Sequence, residues 1–420
     1  MIRTIAVVVL CLFANLAHAQ RGALRVASQF EWRQDVEFLA EELPKLHPEP
    51  WARVSEEEFR AAVAELDREI TGMSEGMTTF EISRLVAMLG DQNTVADVSR
   101  PMRLAPVLPL RFVSLADGLY ITSAATRYRG MIGGKLLAVG GVPIDVLSER
   151  VAAYAPWENE TTRDRVVRDL LCYSAVLGLC GIENNRFDIL IDFELDGEQR
   201  SRQVAAIPLG GTHAWTHWNQ LTEVTMPVSV VAAMSPYISA FLGAEANATY
   251  VSVTTHTEDP RLPFDDFVSN LMEQIDQDNP ARVIIDLRFN EDRGDSIVAP
   301  LLNALDDKGW FETPGDVVVL VGKITSATSA LDAMRFAERG AVLIGVPTGG
   351  NPGGCSGEQD LVLPNSGMTI RVSTRGRTDP GTTTLMPDVV VPWTKTAFFS
   401  ASDPALDAAI GYKPETTGDG

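Results

Sequence analysis

The sequence predicts an α/β protein, and three of its patterns carry that assignment. Beyond Tyr250, the apolar runs ATYVSVTT, ARVIIDLRF, DVVVLVG and AVLIGV alternate with amphipathic stretches at 263–275, 297–305 and 327–339. Continuous apolar strands alternating with helices specify a largely parallel sheet buried under helices. Ahead of this region, from Leu108, lie short β-like runs punctuated by glycine, and ahead of those three amphipathic helices. With 420 residues, 45% hydrophobic and 22% charged, the chain has an ordinary globular composition and is too long for a single core.

The chain opens with Arg3, an apolar stretch from Ile5 to Leu16 and the small-x-small site Ala17-His18-Ala19, which is the order of a secretory signal peptide. Residues 1–19 are therefore expected to be removed, leaving Gln20 or a close neighbour at the start of a periplasmic or secreted protein. Cys11 lacks the small residues that precede a lipidated cysteine, so no lipid anchor is expected. No later segment reaches the roughly 18 uninterrupted apolar residues of a membrane helix, so no membrane span is expected in the mature chain. A formal charge of −21 argues against nucleic acid and anionic membrane as partners, because both repel an acidic surface.

In the first helix Val36, Leu39, Ala40, Leu43 and Leu46 recur at helical spacing, and Pro48 closes it. Ser55 with Glu58 reads as a capping box ahead of Phe59, Val63, Leu66 and Ile70, and Thr78 with Glu81 as another ahead of Ile82, Leu85 and Leu89. These elements make a helical cap over 20–100. The runs LPLRFVSL, GLYIT and KLLAVGGVPI, with a helix over 146–154, are compatible with a PDZ-like module that binds a peptide as an added strand. The segments FDILIDFEL and RSRQVAAIPL flank a turn at Asp196-Gly197 and complete a β-rich region over 101–235, leaving 236–420 as the α/β core. After signal removal Cys172, Cys180 and Cys355 remain, an odd number unlike a disulfide scaffold. On one continuous helix, RDRVVRDLLCYSAVLG, Cys172 and Cys180 stand about 12 Å apart at 1.5 Å per residue, beyond disulfide reach. A bridge would need that helix to break near Gly178.

Five segments, VIIDLRFN, VVVLVGKITSATSA, AVLIGVPTGGNPGG, LVLPNSGMTIRVSTR and MPDVVV, together resemble the C-terminal-processing (tail-specific) and tricorn-core serine peptidases, in the tricorn-like branch. Upstream, DVEFLAEELPKLHPEPW, EISRLVAMLGDQNT and GGKLLAVGGVPID are similar to that family's helical cap, its L-G-D-G-H-T motif and its PDZ-like insertion. The resemblance covers most of 35–400. It implies a core of the ClpP/crotonase type, no cofactor, and a polypeptide substrate or peptide ligand.

Ser326 follows the apolar strand 317–321 and precedes a helix, a sharp turn that exposes a nucleophile and aims helix-start N–H groups at a developing oxyanion. By itself such a serine also reads as a helix cap; its position matches the family's nucleophile. A serine hydroxyl needs a base. The processing-protease branch has a lysine where this chain has Asn351, and the tricorn-like branch a histidine where this chain has Asn93, within Leu89-Gly90-Asp91-Gln92-Asn93-Thr94. Neither amide accepts a proton at neutral pH. The family's glycine pair after D-L-R-x-N, which lets backbone N–H groups approach a substrate carbonyl, is replaced by Asn290-Glu291-Asp292-Arg293-Gly294-Asp295, with only Gly294 kept.

Among the histidines, His256 at the end of the strand from Tyr250 is the substitute base that topology favours. His47 in LHPEP resembles a structural position of the family. His213 and His217, four apart beside Trp215 and Trp218, lack a nearby third ligand and read as surface residues, so no metal is assigned. Lys323 reads as solvent-facing and Cys355 as a buried free thiol without a paired base. Two functions remain: hydrolysis of exported polypeptides through an acyl-enzyme on Ser326, or binding of peptides by the same cleft without cleavage.

Overall fold

The computed structural model describes residues 27–99, 106–182, 188–208, 214–221 and 224–414, so the expected signal peptide and His213 lie outside the described residues. At its centre is a six-stranded sheet in the order Tyr237–Phe241, Ala248–Val253, Arg282–Asp286, Val317–Val321, Val342–Gly345 and Val389–Val390. The first pair is antiparallel and each later pair parallel. Continuous apolarity in these strands follows from burial of both faces. Val251, Val283, Ile285, Val317 and Val319 share a core with the helices Phe264–Asp278, Ala299–Asp307 and Ala327–Glu338. Their sequence neighbours Tyr250, Ile284, Val318 and Leu320 point the other way, toward the helix Pro404–Ile410.

Arg288 fastens that last helix to the sheet. Only 5% exposed, it donates to both carboxylate oxygens of Asp286 at 2.7 to 3.1 Å and to both oxygens of Asp403 at 2.7 Å. The Tyr250 hydroxyl also donates to Asp286, at 2.7 Å. The D-L-R motif is thus a buried ion cluster, and the chain leaves it directly into Phe289 and Asn290.

The cap consists of the helices Gln29–Leu46, Glu56–Glu69 and Glu75–Ala87. The capping box at Ser55 and Glu58 is present. The one expected at Thr78 is not: the third helix starts a turn earlier, where Ser74 accepts the Met77 N–H, and Thr78 is buried inside it. The apolar side of Glu75 to Met77 is too weak to reveal that extra turn in sequence. The cap's core is completed from far along the chain, since Leu361, Leu363, Ile370 and Val372 pack against Leu39, Leu43, Leu66 and Leu85. They belong to a hairpin, Gln359–Val362 and Thr369–Val372, that pairs with Val95–Ala96.

Between cap and core a seven-stranded antiparallel sheet, which includes Leu110–Leu115, Gly118–Ala125 and Lys135–Val139, packs on the helices Ile144–Ala152 and Glu160–Leu170. Its strands Asp188–Leu195 and Glu198–Ala205 meet at Asp196 and Gly197, both at positive φ (56° and 79°), the backbone of a tight hairpin turn. The continuous helix expected over 163–178 is instead two helices, Glu160–Leu170 and Ser174–Leu179. The break falls at Leu171 to Tyr173, ahead of Gly178, because the Cys172 carbonyl is drawn off to accept the Leu108 N–H at 2.7 Å. Cys172, Cys180 and Cys355 are all free thiols.

Candidate active site

Ser326 is the N-cap of the helix Ala327–Glu338, directly after the strand Val317–Val321. Its Oγ accepts the Ser329 N–H at 3.2 Å and its own N–H donates to the Asn290 carbonyl at 2.8 Å. Thr325 tightens the turn, accepting the Gly322 N–H at 2.9 Å and donating to the Leu287 carbonyl at 3.0 Å. The glycine-rich loop beyond the strand Val342–Gly345 lies flat on this turn. A Cβ on Gly350 would come within 2.2 Å of Ala327 N and the Ser326 carbonyl carbon, so only glycine permits the approach. Asn290 and Asn351, which follows Gly350, therefore flank Ser326.

Ser326, Ser329 and Asp332 recur every third residue and share one helix face. Facing them is His256, just past the strand Ala248–Val253. Ser326 Oγ donates to Ser329 Oγ at 3.0 Å, and His256 Nε2 lies 3.1 Å from Ser329 Oγ and 3.8 Å from Asp332 Oδ2. All four residues are buried. Asp332 Oδ1 accepts from Ser296 Oγ at 2.7 Å and from Arg335 at 2.8 Å, whereas Asp332 Oδ2 and His256 Nδ1 have no hydrogen-bond partner. Burial pulls the His256 pKa below its ordinary value against the opposing charges of Asp332 and Asp292, and burial pushes the Asp332 carboxyl up.

The loop from Asn290 to Gly294 is pinned by Asp292, whose carboxylate accepts from Thr255 Oγ1 at 2.6 Å, the His256 N–H at 2.9 Å, Thr257 Oγ1 at 3.1 Å and the Gly294 N–H at 2.9 Å. Those donors hold the carboxyl well below the usual range. The Gly294 N–H, expected to face a substrate carbonyl, is thus already engaged. Asn290 keeps a different donor: its Oδ1 accepts the Asp292 N–H at 3.1 Å, while its buried Nδ2 has no partner. The sequence departed visibly from the glycine pair, but nothing in it indicated that Asp292 would bind the end of the His256 strand.

The two asparagines at base positions are built into the fold. Asn93 Nδ2 donates to the Cys355 carbonyl at 2.8 Å, and Asn351 Nδ2 donates to Glu158, a carboxyl whose pKa burial raises. A His47 ring nitrogen, an Asp91 oxygen and Cys355 Sγ lie within 4.8 Å of one another, close enough for a metal site. The lone pairs of His47 and Asp91 are already committed to hydrogen bonds of the fold. His47 Nδ1 accepts the Glu49 N–H at 3.1 Å, which leaves the ring proton on Nε2 for Asp91 at 3.1 Å. Asp91 also accepts from Thr94 Oγ1 at 2.6 Å and the Asn93 N–H at 2.9 Å. Lys323 is only partly solvent-facing: its Nζ is tied to Asp164 at 3.1 Å and to Ser114, away from Ser326. Burial pushes the Cys355 thiol up to about 12, the mark of an inert thiol. His217 sits on a short strand with Nδ1 2.8 Å from Ser123 Oγ.

A cavity of ≈ 290 Å³ opens at the carboxyl ends of the central strands, lined by Val113, Leu115, Phe289, Ile324, Val346 and Trp393. Its walls come from segments more than 200 residues apart, so no local pattern announced it.

No protein-family model matches the sequence, and no curated protein is significantly similar to it. Among solved structures, mature CPAF is similar over 91% of this chain and 98% of its own, at 12% identity and a TM-score of 0.59. Mature CPAF complexed with lactacystin is similar over 91% and 99%, at 12% identity and a TM-score of 0.58. A serine-to-alanine mutant of CPAF is similar over 91% and 97%, at 13% identity and a TM-score of 0.58. At this identity the likeness is one of fold, and it does not single out the tricorn-like branch. Over nearly its whole length, then, the chain has the peptidase-like fold seen in CPAF.

Proposed function

We propose that this chain is an exported serine hydrolase that cleaves peptide bonds through an acyl-enzyme on Ser326. The observation that carries the reading is Ser326 Oγ at the start of a 12-residue helix, on the face that meets a buried histidine. Attack on a peptide carbonyl develops negative charge on its oxygen. The unpaired Asn290 amide and the positive end of the helix, where Ser329 N–H is held by Ser326, favour that charge. The apolar cavity beside Phe289 and Ile324 takes a hydrophobic side chain of the substrate, and the β-rich region holds the extended peptide.

A fluorophosphonate probe, which phosphonylates only activated serines, should label the wild type and not Ser326→Ala, with peptide hydrolysis lost in parallel. An unlabelled Ser326 at every pH where the protein stays folded would refute the assignment. The second reading, peptide binding without cleavage, is favoured by the amides of Asn93 and Asn351, both bonded into the scaffold. Peptides that bind an unlabelled protein would establish it. Export is tested separately, by finding Gln20 or a near neighbour as the N-terminal residue of extracytoplasmic protein.

A further inference from the structure

No hydrogen bond joins His256 to the Ser326 hydroxyl among the described residues; Ser329 Oγ bridges them, 3.0 Å from Ser326 Oγ and 3.1 Å from His256 Nε2. We propose that Ser329 is a proton relay, taking the Ser326 hydroxyl proton while passing its own to His256 Nε2, with Asp332 as the carboxylate that steadies the charged ring. The proposal rests on Ser326 being the nucleophile.

The direction of the chain follows from its bonds. Ser326 Oγ already accepts the Ser329 N–H, so its hydroxyl hydrogen is left to give to Ser329 Oγ. Ser329 Oγ, receiving that hydrogen, has its own free for His256 Nε2. Ser329 is wholly buried, so water does not substitute for it. The charged groups facing the ring are Asp332 at 3.8 Å, itself paired with Arg335, and Asp292, which holds the His256 N–H. Both carboxylates favour a protonated imidazole, opposing the burial that disfavours it. Neither base position of the related peptidases is needed for this route.

In the reaction, Ser326 Oγ bonds to the peptide carbon and the carbonyl electron pair moves onto oxygen. The Ser326 proton moves to Ser329 Oγ, and the Ser329 proton to His256 Nε2. As the C–N bond breaks, the proton on Nε2 returns through Ser329 to the leaving nitrogen. Water then repeats the sequence on the acyl group, releasing the acid and restoring Ser326.

The test is the rate of fluorophosphonate labelling of Ser326 against pH in wild type, Ser329→Ala, Ser329→Cys and His256→Gln, with circular dichroism confirming that each variant is folded. Ser329→Ala should slow labelling by about 10²- to 10⁴-fold, the usual worth of a general base, and remove the inflection below neutral pH that reports His256. Ser329→Cys, which keeps a small protic group, should recover part of the rate and the inflection. The double variant Ser329→Ala with His256→Gln should be no slower than either single one, since both cut the same path. Wild-type labelling and an unchanged pH profile in folded Ser329→Ala or His256→Gln would overturn the relay while leaving Ser326 as the nucleophile. Ser326 unlabelled in the wild type would overturn both.

Discussion

Replacing Arg288 by methionine tests whether the D-L-R motif serves the scaffold rather than the chemistry. The side chain is nearly unexposed and bonds all four oxygens of Asp286 and Asp403. Methionine fills much of the stem's volume and supplies no donor, so two buried carboxylates lose their counter-charge. Breaking a buried pair in this way costs about 3–5 kcal/mol. With an m-value of about 3 kcal/mol/M, the urea midpoint at neutral pH should fall by about 1 to 1.7 M. The loss should also depend on pH. In the wild type Asp403 has a lowered pKa, with burial opposed by its bonds to Arg288, so its ion pair stabilises the fold above the unfolded carboxyl value and that stabilisation fades in acid. Without Arg288 the sign reverses, because a proton on Asp403 then relieves the unpaired charge. The gap between variant and wild type should therefore narrow as pH falls from neutral to about 4.5, just above the ordinary carboxyl values. A midpoint unchanged at neutral pH, or a gap that widens in acid, would refute the reasoning.

Other consequences are testable in the same protein. Asp292 is held below the usual carboxyl range by four donors, so its contribution is complete above the unfolded value and lost as pH falls; Asp292→Asn should flatten the acid limb of a stability profile. His256 is buried with a lowered pKa, so the fold should lose stability as pH drops below about 6.5, where the unfolded histidine takes up a proton first, and His256→Gln should reduce that loss. Asn351→Lys should set its ammonium against Glu158, returning that carboxyl toward ordinary acidity without raising fluorophosphonate labelling of Ser326; a large gain in labelling would show the lysine reaching the nucleophile instead. Burial pushes the Cys172 thiol to about 11 and those of Cys180 and Cys355 to about 12, so all three should resist iodoacetamide in the folded protein and react once denaturant is added.

The parts of the fold legible in sequence were those governed by local periodicity. Four of the six central strands and their helices announced themselves because burial on two faces leaves an unbroken apolar run, and Asp196-Gly197 because its backbone demands positive φ, whereas the edge strand Tyr237–Phe241 did not. The break after Leu170 was hidden, since it depends on a carbonyl engaged by Leu108, some sixty residues upstream. At the candidate site, Ser326 was marked by the strand-to-helix turn and His256 by its strand end. Ser329 and Asp332 carried no such mark, because a serine and an aspartate at helical spacing read equally well as cap and surface. Only the three-dimensional approach of His256 to that helix face distinguishes them.

The hairpin Gln359–Val362 and Thr369–Val372 has a bearing on how the molecule acquires its structure. The three opening helices cannot close their own interior: Leu361, Leu363, Ile370 and Val372 are part of it, and Asp35 in the first helix accepts the backbone N–H groups of Asn365 and Ser366 at 2.9 and 2.8 Å. Roughly 270 residues separate those helices from the segment that completes them, a loop whose closure is slow and must await most of the chain. The cap helices are thus synthesised well before the segment that stabilises them, and their exposed leucines are a hazard for self-association until the far hairpin docks. A truncation ahead of residue 359 should therefore yield an aggregating cap rather than a free-standing helical domain.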